Sequence, residues 1–496
     1  MSGEHTIGRW LEDRRRNTPN RVAIDFAGRE LTYEELAARS ASVAGALLDR
    51  GVARGDRIAT LTANSPDHVA TLFACARLGL ALQPLNWRLA SDEVRYQLDD
   101  ATPAVLVVEP AHAELARQAG GDVPRVAFAE LDADRPVQPV DVSDDDPLLL
   151  SYTSGTTGKP KGAVLTHANC FWTNLSFDRT SGIADGDIVL QVLPQFHSGG
   201  WNVQALLAWW KGATVVLEPS FDPARALGLI EEKRVTTMMG VPATYLFMAE
   251  QPEFASADLA SLRLAVVGGA PMPESLLHTW HERGIEIVQG YGLTEAAPNV
   301  LCLPPEDATR KLGFAGTPYP HVDVALRDPE TGGHLEGEAT GELVVRGPNV
   351  FAGYWANPEA TEATFADGWL LTGDLAQRDD EGYYRIVGRL KELVISGGEN
   401  IYPAEIEDVL HAHEAVAEAA VIGVPDERWG EVCVAFVALR QPGAADADEL
   451  LEWCRGRLAR YKVPREIRFV SELPRSAMGK VLKDALHSEP APEAVR

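Results

Sequence analysis

The sequence predicts an α/β protein: a large N-terminal domain of two doubly wound sheets with an antiparallel β-barrel subdomain, then a smaller α+β C-terminal domain. Three observations predict it. Short β-branched runs alternate with amphipathic helical segments from Arg57 to Gln289, the pattern of parallel strands joined by crossover helices. After about residue 312 that period gives way to short strands and turns, read most economically as a small distorted barrel. At 496 residues the chain also exceeds what one core ordinarily organises, so two or more domains are expected.

Thr32-Tyr-Glu-Glu35 is a capping box opening a helix through Leu47, ended by Gly51. Arg57 to Leu61 reads as a strand, Pro66 to Leu78 as a helix, Leu80 to Pro84 as a strand, Ser91 to Leu98 as a helix and Ala104 to Glu109 as a buried strand. Pro110 to Asp146 is acidic, proline-bearing and weakly patterned, and is read as a connection. Strand Leu148 to Tyr152 follows, and alternation resumes with strands at Ile188 to Leu193, Thr214 to Leu217, Val235 to Met239, Leu262 to Val267 and Ile285 to Gln289. Between them lie a helix through Leu207 and helices Pro223 to Lys233, Pro242 to Glu250 and Glu274 to Arg283. Val322 to Arg327, Gly341 to Arg346 and Gly382 to Val387 supply the barrel strands. The final domain begins near Leu390, with helices Ala404 to His411 and Asp448 to Tyr461 around strands near Val416 to Val424 and Glu431 to Leu439.

Composition narrows the function classes. A formal charge of −27 opposes bulk attraction to nucleic acid or an anionic bilayer. Cys75, Cys170, Cys302, Cys433 and Cys454 are scattered, without zinc-ligand or dithiol spacing, which suits a reducing cytoplasm. The first residues carry no apolar signal core, and no run approaches the roughly eighteen apolar residues of a spanning helix. A cytoplasmic protein is expected, monomeric or homodimeric, with Arg14 to Arg16 leaving room for peripheral membrane contact.

The strand ending at Tyr152 runs into YTSGTTGKPKG, Tyr152 to Gly162. Nine of these eleven residues are Gly, Ser, Thr or Lys, a composition that offers N–H groups, hydroxyls and two positive charges to an anion. A Walker loop with its Gly-Lys pair at Gly158 and Lys159 needs Gly at 153 and Ser or Thr at 160; Thr153 and Pro160 fail both requirements. The loop sits at a strand's carboxyl end, where open sheets bind ligands. Taken alone it also reads as a surface turn.

The loop resembles the phosphate-binding signature of the adenylate-forming (ANL) superfamily, which includes acyl-CoA and aryl-CoA synthetases, peptide-synthetase adenylation domains and beetle luciferases. The resemblance continues through GGAPMP (Gly268 to Pro273), GYGLTE (Gly290 to Glu295), TGDLA (Thr372 to Ala376) and GRLKE (Gly388 to Glu392). ISGGENIYPAEIE (Ile395 to Glu407) and PRSAMGK (Pro474 to Lys480) complete it in family order, so it covers essentially the whole chain. It implies ATP and Mg2+, coenzyme A as co-substrate, an N-terminal domain over 1–389, a hinge at 390–391 and a mobile C-terminal domain over 392–496.

The implied chemistry answers a physical problem. A carboxylate is a poor electrophile with no viable leaving group, and forming an acyl adenylate from ATP removes both difficulties if phosphate charge is neutralised and the carboxylate is held near the α-phosphorus. By resemblance, Thr153, Ser154, Gly155, Thr156, Thr157, Gly158, Lys159 and Lys161 grip the phosphates. Gly269, Ala270, Pro271, Gly290, Tyr291 and Gly292 border the nucleotide, Tyr291 as an aromatic platform for adenine. Thr294 falls to the α-phosphate, Glu295 to magnesium, and Asp374 with Arg389 to the ribose diol. Lys480 matches the lysine that bridges carboxylate and adenylate oxygens in the first transition state. Lys391 matches the hinge position, and Gly397, Gly398 and Asn400 lie on the face that replaces Lys480 for thioester formation, the glycines leaving space for a pantetheine arm. A lone lysine is ordinarily solvent-facing and a lone tyrosine ordinarily core; the signatures around Lys480 and Tyr291 shift those readings.

His197, in a Phe-His pair, matches a position beside the carboxylate and thiol tunnel. With it, Gly199, Trp201, Val203, Val241, Gly268, Pro298 and Asn299 match pocket positions. Their glycines and scarcity of charge favour a hydrophobic monocarboxylate over an amino acid. Trp201 either floors a pocket for a planar acid or packs against the sheet, and Asn299 is a candidate polar end. The expectation is a fatty, medium to long chain acyl-CoA synthetase, the alternatives being an aryl-acid ligase for benzoate-, cinnamate- or ferulate-like acids, an adenylating enzyme that loads a carrier protein, and a silent nucleotide-binding regulator.

Overall fold

The computed structural model describes residues 3–134, 137, 140–153, 159–396, 399–426, 428–475 and 481–487. It divides into two units, Met1–Val324 with Val344–Leu371, and Ala325–Leu343 with Thr372–Arg496.

The first unit holds two mixed sheets. In one, strands Ile287–Gly292, Leu264–Val267, Thr237–Gly240, Ile188–Gln191, Thr214–Leu217 and Val22–Phe26 lie side by side and parallel. Antiparallel strands finish both edges: Asn299–Cys302 and Thr317–Pro318 at one, Arg29–Thr32 at the other. The second sheet runs Gly353–Tyr354, Lys161–Thr166, Pro147–Thr153, Ala81–Pro84, Arg57–Leu61, Val105–Val108 and Arg125–Ala127. Its central strands are buried along nearly their whole length, as expected where helices cover both faces.

Local chemistry explains the helices. The Thr32 hydroxyl accepts from the Glu35 N–H at 3.2 Å while Glu35 Oε2 accepts from the Thr32 N–H at 2.7 Å, closing the expected capping box on helix Tyr33–Asp49. Helix Pro66–Leu78 starts with a Ser65 cap and Pro66 and ends on Gly79 at φ 66°, in the left-handed region. Leu190, Met238, Tyr245, Leu277 and Trp280 belong to the core around the larger sheet.

In the second unit, strands Glu399–Ile401, Val394–Ser396, Gly430–Leu439 and Val416–Asp426 form an antiparallel sheet that Glu466–Phe469 joins in parallel. Helices Pro403–His411 and Ala447–Arg455 bury Ile406, Leu410, Leu450 and Cys454 in one core, and Phe436, Leu473 and Leu486 form another. A curled antiparallel half-barrel contains His334–Leu335, Asp323–Arg327, Ala339–Arg346, Trp369–Arg378 and Phe365–Ala366, with Tyr384–Arg389 pairing Trp369–Arg378.

Details depart from the sequence reading. The stretch read as a connection after Pro110 contains helix Ala113–Ala119 and edge strand Arg125–Ala127. The helix expected to reach Tyr461 ends at Arg455. All five cysteines are buried and free, and no described helix is long and apolar enough to cross a membrane.

Candidate active site

Paired strands flank the glycine-rich stretch. Pro147–Thr153 pairs antiparallel with Lys161–Thr166, placing Thr153 opposite Lys161. Ser154, Gly155, Thr156, Thr157 and Gly158 lie outside the described residues. Lys159 is exposed, its Nζ 5.5 Å from the Tyr96 ring centroid, and Lys161 Nζ stands 5.0 Å from that of Tyr354. A Cβ on Gly162 would lie 2.9 Å from Leu150 Cδ1 and 3.2 Å from Tyr152 Cζ, so a side chain there would displace its neighbours.

The paired strands meet the GYGLTE segment through side chains. Thr153 Oγ1 donates to Glu295 Oε1 at 3.3 Å, and the Tyr354 hydroxyl donates to the same oxygen at 2.8 Å. Glu295 Oε2 makes no hydrogen bond with another described residue, leaving a hard anionic ligand of the kind magnesium takes. Burial, reinforced by the Glu295 charge, pushes the Tyr354 phenol well above its ordinary pKa and keeps it a donor. Tyr354 was not singled out from the sequence. It arrives because Gly353–Tyr354 pairs as a short strand with Val164 and Ala163.

Thr294 Oγ1 accepts from the Ser198 hydroxyl at 3.2 Å, so the start of helix Ser198–Asn202 touches the same segment. Its N-cap is His197, half-buried, with its ring 4.6 Å from that of Phe196. Strand Ile287–Gly292 carries Gly290, Tyr291 and Gly292 at its carboxyl end, all half-buried. A Cβ on Gly292 would stand 1.7 Å from the Pro298 carbonyl oxygen, so the return into Asn299–Cys302 requires glycine there. Asn299 itself is buried, its Nδ2 donating to the Thr173 carbonyl at 3.4 Å. Asn349, also missed in the sequence, donates to the carbonyls of Ala296 and Asn299 at 2.8 and 2.9 Å and fixes this return from behind.

Neighbouring parallel strands end in the other small residues. Gly268 follows Leu264–Val267 and donates its N–H to the Gly240 carbonyl at 3.2 Å. A Cβ on Gly268 would lie 3.3 Å from the Gly290 carbonyl oxygen, and one on Gly269 3.5 Å from Val241 Cγ1. Gly269, Ala270 and Pro271 are exposed, as is Val241. A Cβ on Gly199 would meet only Val203, at 3.8 Å, so that position faces open space. Pro298 is half-buried. Trp201 is 0% exposed and lies edge-on to His68 at 5.0 Å, inside the protein.

The second unit carries the remaining residues. Asp374 and Arg389 are cross-strand partners, with Asp374 Oδ1 3.0 Å from Arg389 Nε. Asp374 is buried and Arg389 exposed, so the pair combines an anchored carboxylate with an accessible cation. Lys391 is exposed in the turn Leu390–Glu392, and Asn400 is exposed opposite Ile395. Gly397, Gly398 and Lys480 lie outside the described residues. Ahead of and behind the segment that includes Lys480, Arg475 bridges Val481, and the Leu482 N–H donates to the Pro474 carbonyl at 2.8 Å.

Known proteins resemble this chain over nearly its whole length. The profile of the AMP-binding enzyme family matches residues 11–355, and that of the AMP-binding enzyme C-terminal domain matches residues 405–480. The chain is 45% identical to a feruloyl-CoA synthase of Amycolatopsis sp, over 96% of this chain and 97% of that protein. It is 44% identical to an indoleacetate–CoA ligase of Aromatoleum aromaticum, again over 96% and 97% of the two chains. Among solved structures it superposes on ATP-bound MatB from Rhodopseudomonas palustris with a TM-score of 0.90, at 34% identity over 97% of this chain and 98% of that one. With both profiles matched in order and these identities sustained over nearly the full length, the chain belongs to the adenylate-forming superfamily of AMP-binding enzymes, with the architecture and ATP-dependent ligase chemistry of an acyl-CoA synthetase.

Proposed function

We propose that this enzyme activates an aryl monocarboxylic acid with ATP and magnesium and passes the acyl group to coenzyme A. The observation that carries the reading is that relatives 45% and 44% identical over 96% of the chain are both named for aromatic acids. It reverses the sequence expectation, in which a fatty acid stood ahead of an aryl one.

The substrate carboxylate attacks the α-phosphorus, the bond to pyrophosphate breaks, and an acyl adenylate forms. The coenzyme A thiolate then attacks the acyl carbon, and AMP leaves. Lys159 and Lys161 neutralise phosphate charge, and Thr294, steadied by Ser198, faces the α-phosphate. Bound magnesium supplies further neutralisation of the phosphate oxygens. Glu295 would hold it through Oε2, because Tyr354 and Thr153 occupy Oε1 and fix the carboxylate's orientation. Tyr291 supports adenine, Asp374 accepts from the ribose hydroxyls, and Arg389 orients Asp374. Lys480 stabilises the charge that shifts between carboxylate and phosphate oxygens. The acyl group lies across Gly199, Val203, Val241, Gly268, Gly269 and Pro298, and the open space at Gly199 leaves room for it.

Isotope exchange of labelled pyrophosphate into ATP, measured acid by acid, tests the first step, and addition of coenzyme A tests the second. Exchange with cinnamic or arylacetic acids followed by CoA thioester formation is expected. Exchange with no thioester, relieved only by a pantetheinyl carrier protein, would contradict the reading.

A further inference from the structure

Asp374, the acceptor for the ribose diol in the proposed reaction, ends a bend whose backbone is held by the neighbouring strand. Gly373, just before it, has φ 68°, in the left-handed region. A Cβ there would meet nothing within 4 Å, so conformation rather than crowding calls for glycine. The Gly373 N–H donates to Glu342 Oε1 at 3.2 Å. The Thr372 hydroxyl donates to the Leu343 carbonyl at 2.6 Å and accepts from the Asp374 N–H at 3.0 Å. Two adjacent residues of strand Ala339–Arg346 thus hold the bend through Gly373 and Thr372.

Glu342 does so with a buried carboxylate. The residue is 3% exposed, and its Oε2 accepts from Arg327 Nη1 at 3.4 Å. Gly341 lets the strand carrying Arg327 come close, since a Cβ on it would lie 2.7 Å from the Arg327 carbonyl oxygen. Burying a carboxylate is costly unless ionic and hydrogen-bonding partners compensate. Arg327 and the Gly373 N–H supply one partner to each oxygen. An apolar side chain would avoid the cost of burying a charge, but it would give up the bond to Gly373. Arg327 has a side chain 27% exposed, so its own charge reaches water with or without Glu342.

We infer that Glu342 is a positioning residue for nucleotide binding: it holds Gly373 in its left-handed conformation and so sets where the Asp374 carboxylate stands for the ribose hydroxyls. The inference rests on the assignment of Asp374 to the ribose diol. Arg389 Nε steadies that carboxylate from the facing strand, 3.0 Å from Asp374 Oδ1, so the side chain and the backbone of Asp374 are fixed separately. A contact made equally in the ground state and the transition state acts on KM rather than on kcat. The effect of Glu342 therefore falls on ATP binding.

The test compares kcat/KM for ATP and for 2′,3′-dideoxy-ATP, which lacks both ribose hydroxyls, in the wild-type enzyme, Glu342→Met and Glu342→Gln. The wild type should prefer ATP by about a hundred-fold or more, because a site built to hydrogen-bond a hydroxyl strongly rejects the analogue lacking it. Glu342→Met should shrink that preference by roughly three- to ten-fold, the range of one hydrogen bond, through a higher KM for ATP with kcat little changed. Glu342→Gln keeps an acceptor for Gly373 and should retain most of the preference. Lost stability alone lowers activity toward both nucleotides alike, so an unchanged preference in Glu342→Met would overturn the inference. Should that variant not fold, Arg327→Gln, which frees the other carboxylate oxygen, should shrink the preference by about two-fold or more, and an unchanged preference would overturn the inference there. Equal wild-type use of the two nucleotides would remove the ribose assignment of Asp374 and the inference with it. Wild-type discrimination that survives intact in Glu342→Met removes the inference alone.

Discussion

The Tyr354 hydroxyl donates to Glu295 Oε1 at 2.8 Å, and Thr153 Oγ1 donates to the same oxygen at 3.3 Å. Two residues far apart in the sequence thus constrain one carboxylate and leave its other oxygen for a cation. A hydrogen bond to a charged group contributes about 1.5 to 3 kcal/mol. Tyr354→Phe should therefore slow pyrophosphate exchange by roughly ten-fold or more and raise the magnesium concentration needed for half-maximal exchange. An unchanged magnesium dependence would show that Tyr354 is not orienting the ligand.

Lys480 is assigned by its place in PRSAMGK, and the two half-reactions separate its role. Lys480→Ala should lower adenylate formation by about 10²- to 10³-fold, the range for removal of one group that stabilises transition-state charge. Thioester formation from synthetic acyl adenylate should fall far less. Comparable losses in both half-reactions would count against the assignment.

Lys483 Nζ lies 2.8 Å from Glu407 Oε1 and 3.1 Å from Glu392 Oε2. Burial alone would lower the ammonium pKa, but the Glu407 and Glu392 charges outweigh it and leave the group raised. The three side chains are half-buried, so removing one partner costs less than in a fully buried pair, about 1 to 3 kcal/mol. Lys483→Met should lower stability by that amount in urea unfolding, and adding Glu392→Gln and Glu407→Gln should restore part of it. No recovery in the triple variant would mean that packing of the aliphatic stem matters more than the charges.

Two histidines set an acid limit. Burial lowers His68 to about 3. Burial also lowers His167 to about 4, against the pull of Asp146 and Asp144. Both are neutral in the folded state and would bind a proton near pH 6.5 when unfolded. Their contribution is present above about pH 6.5 and is lost as pH falls below it, by about 2 kcal/mol for the pair between pH 6.5 and 5.5. A double variant with glutamine at both positions should be less stable at pH 7 but show a shallower decline over that range. An equally steep decline would assign the acid sensitivity to other groups.

Helix boundaries were legible where chemistry marks them, as at the Thr32–Glu35 capping box and the Ser65-Pro66 start. Strand Val22–Phe26 escaped although a signal was present: Ala27 and Gly28 have φ of 53° and 81°, the two-residue turn that joins it to Arg29–Thr32. Arg125–Ala127 escaped because a three-residue, partly exposed edge strand has no period to detect. Signature residues such as Glu295 and Asp374 could be named because their motifs are local. Tyr354 and Asn349 could not, because each reaches its neighbours through long-range packing or strand pairing rather than a motif. The Asp374–Arg389 pair lies between, its members named separately and their contact visible only in the register of their strands.

Competitive turnover tests the central claim most directly. Equimolar ferulic, cinnamic, indoleacetic, benzoic, octanoic and palmitic acids would be mixed with ATP, magnesium and coenzyme A, and each CoA thioester quantified by mass spectrometry at early times. Aryl thioesters should predominate, with AMP formed in equal amount. Predominance of octanoyl- or palmitoyl-CoA would contradict the aryl-acid assignment and return the enzyme to the fatty-acid reading.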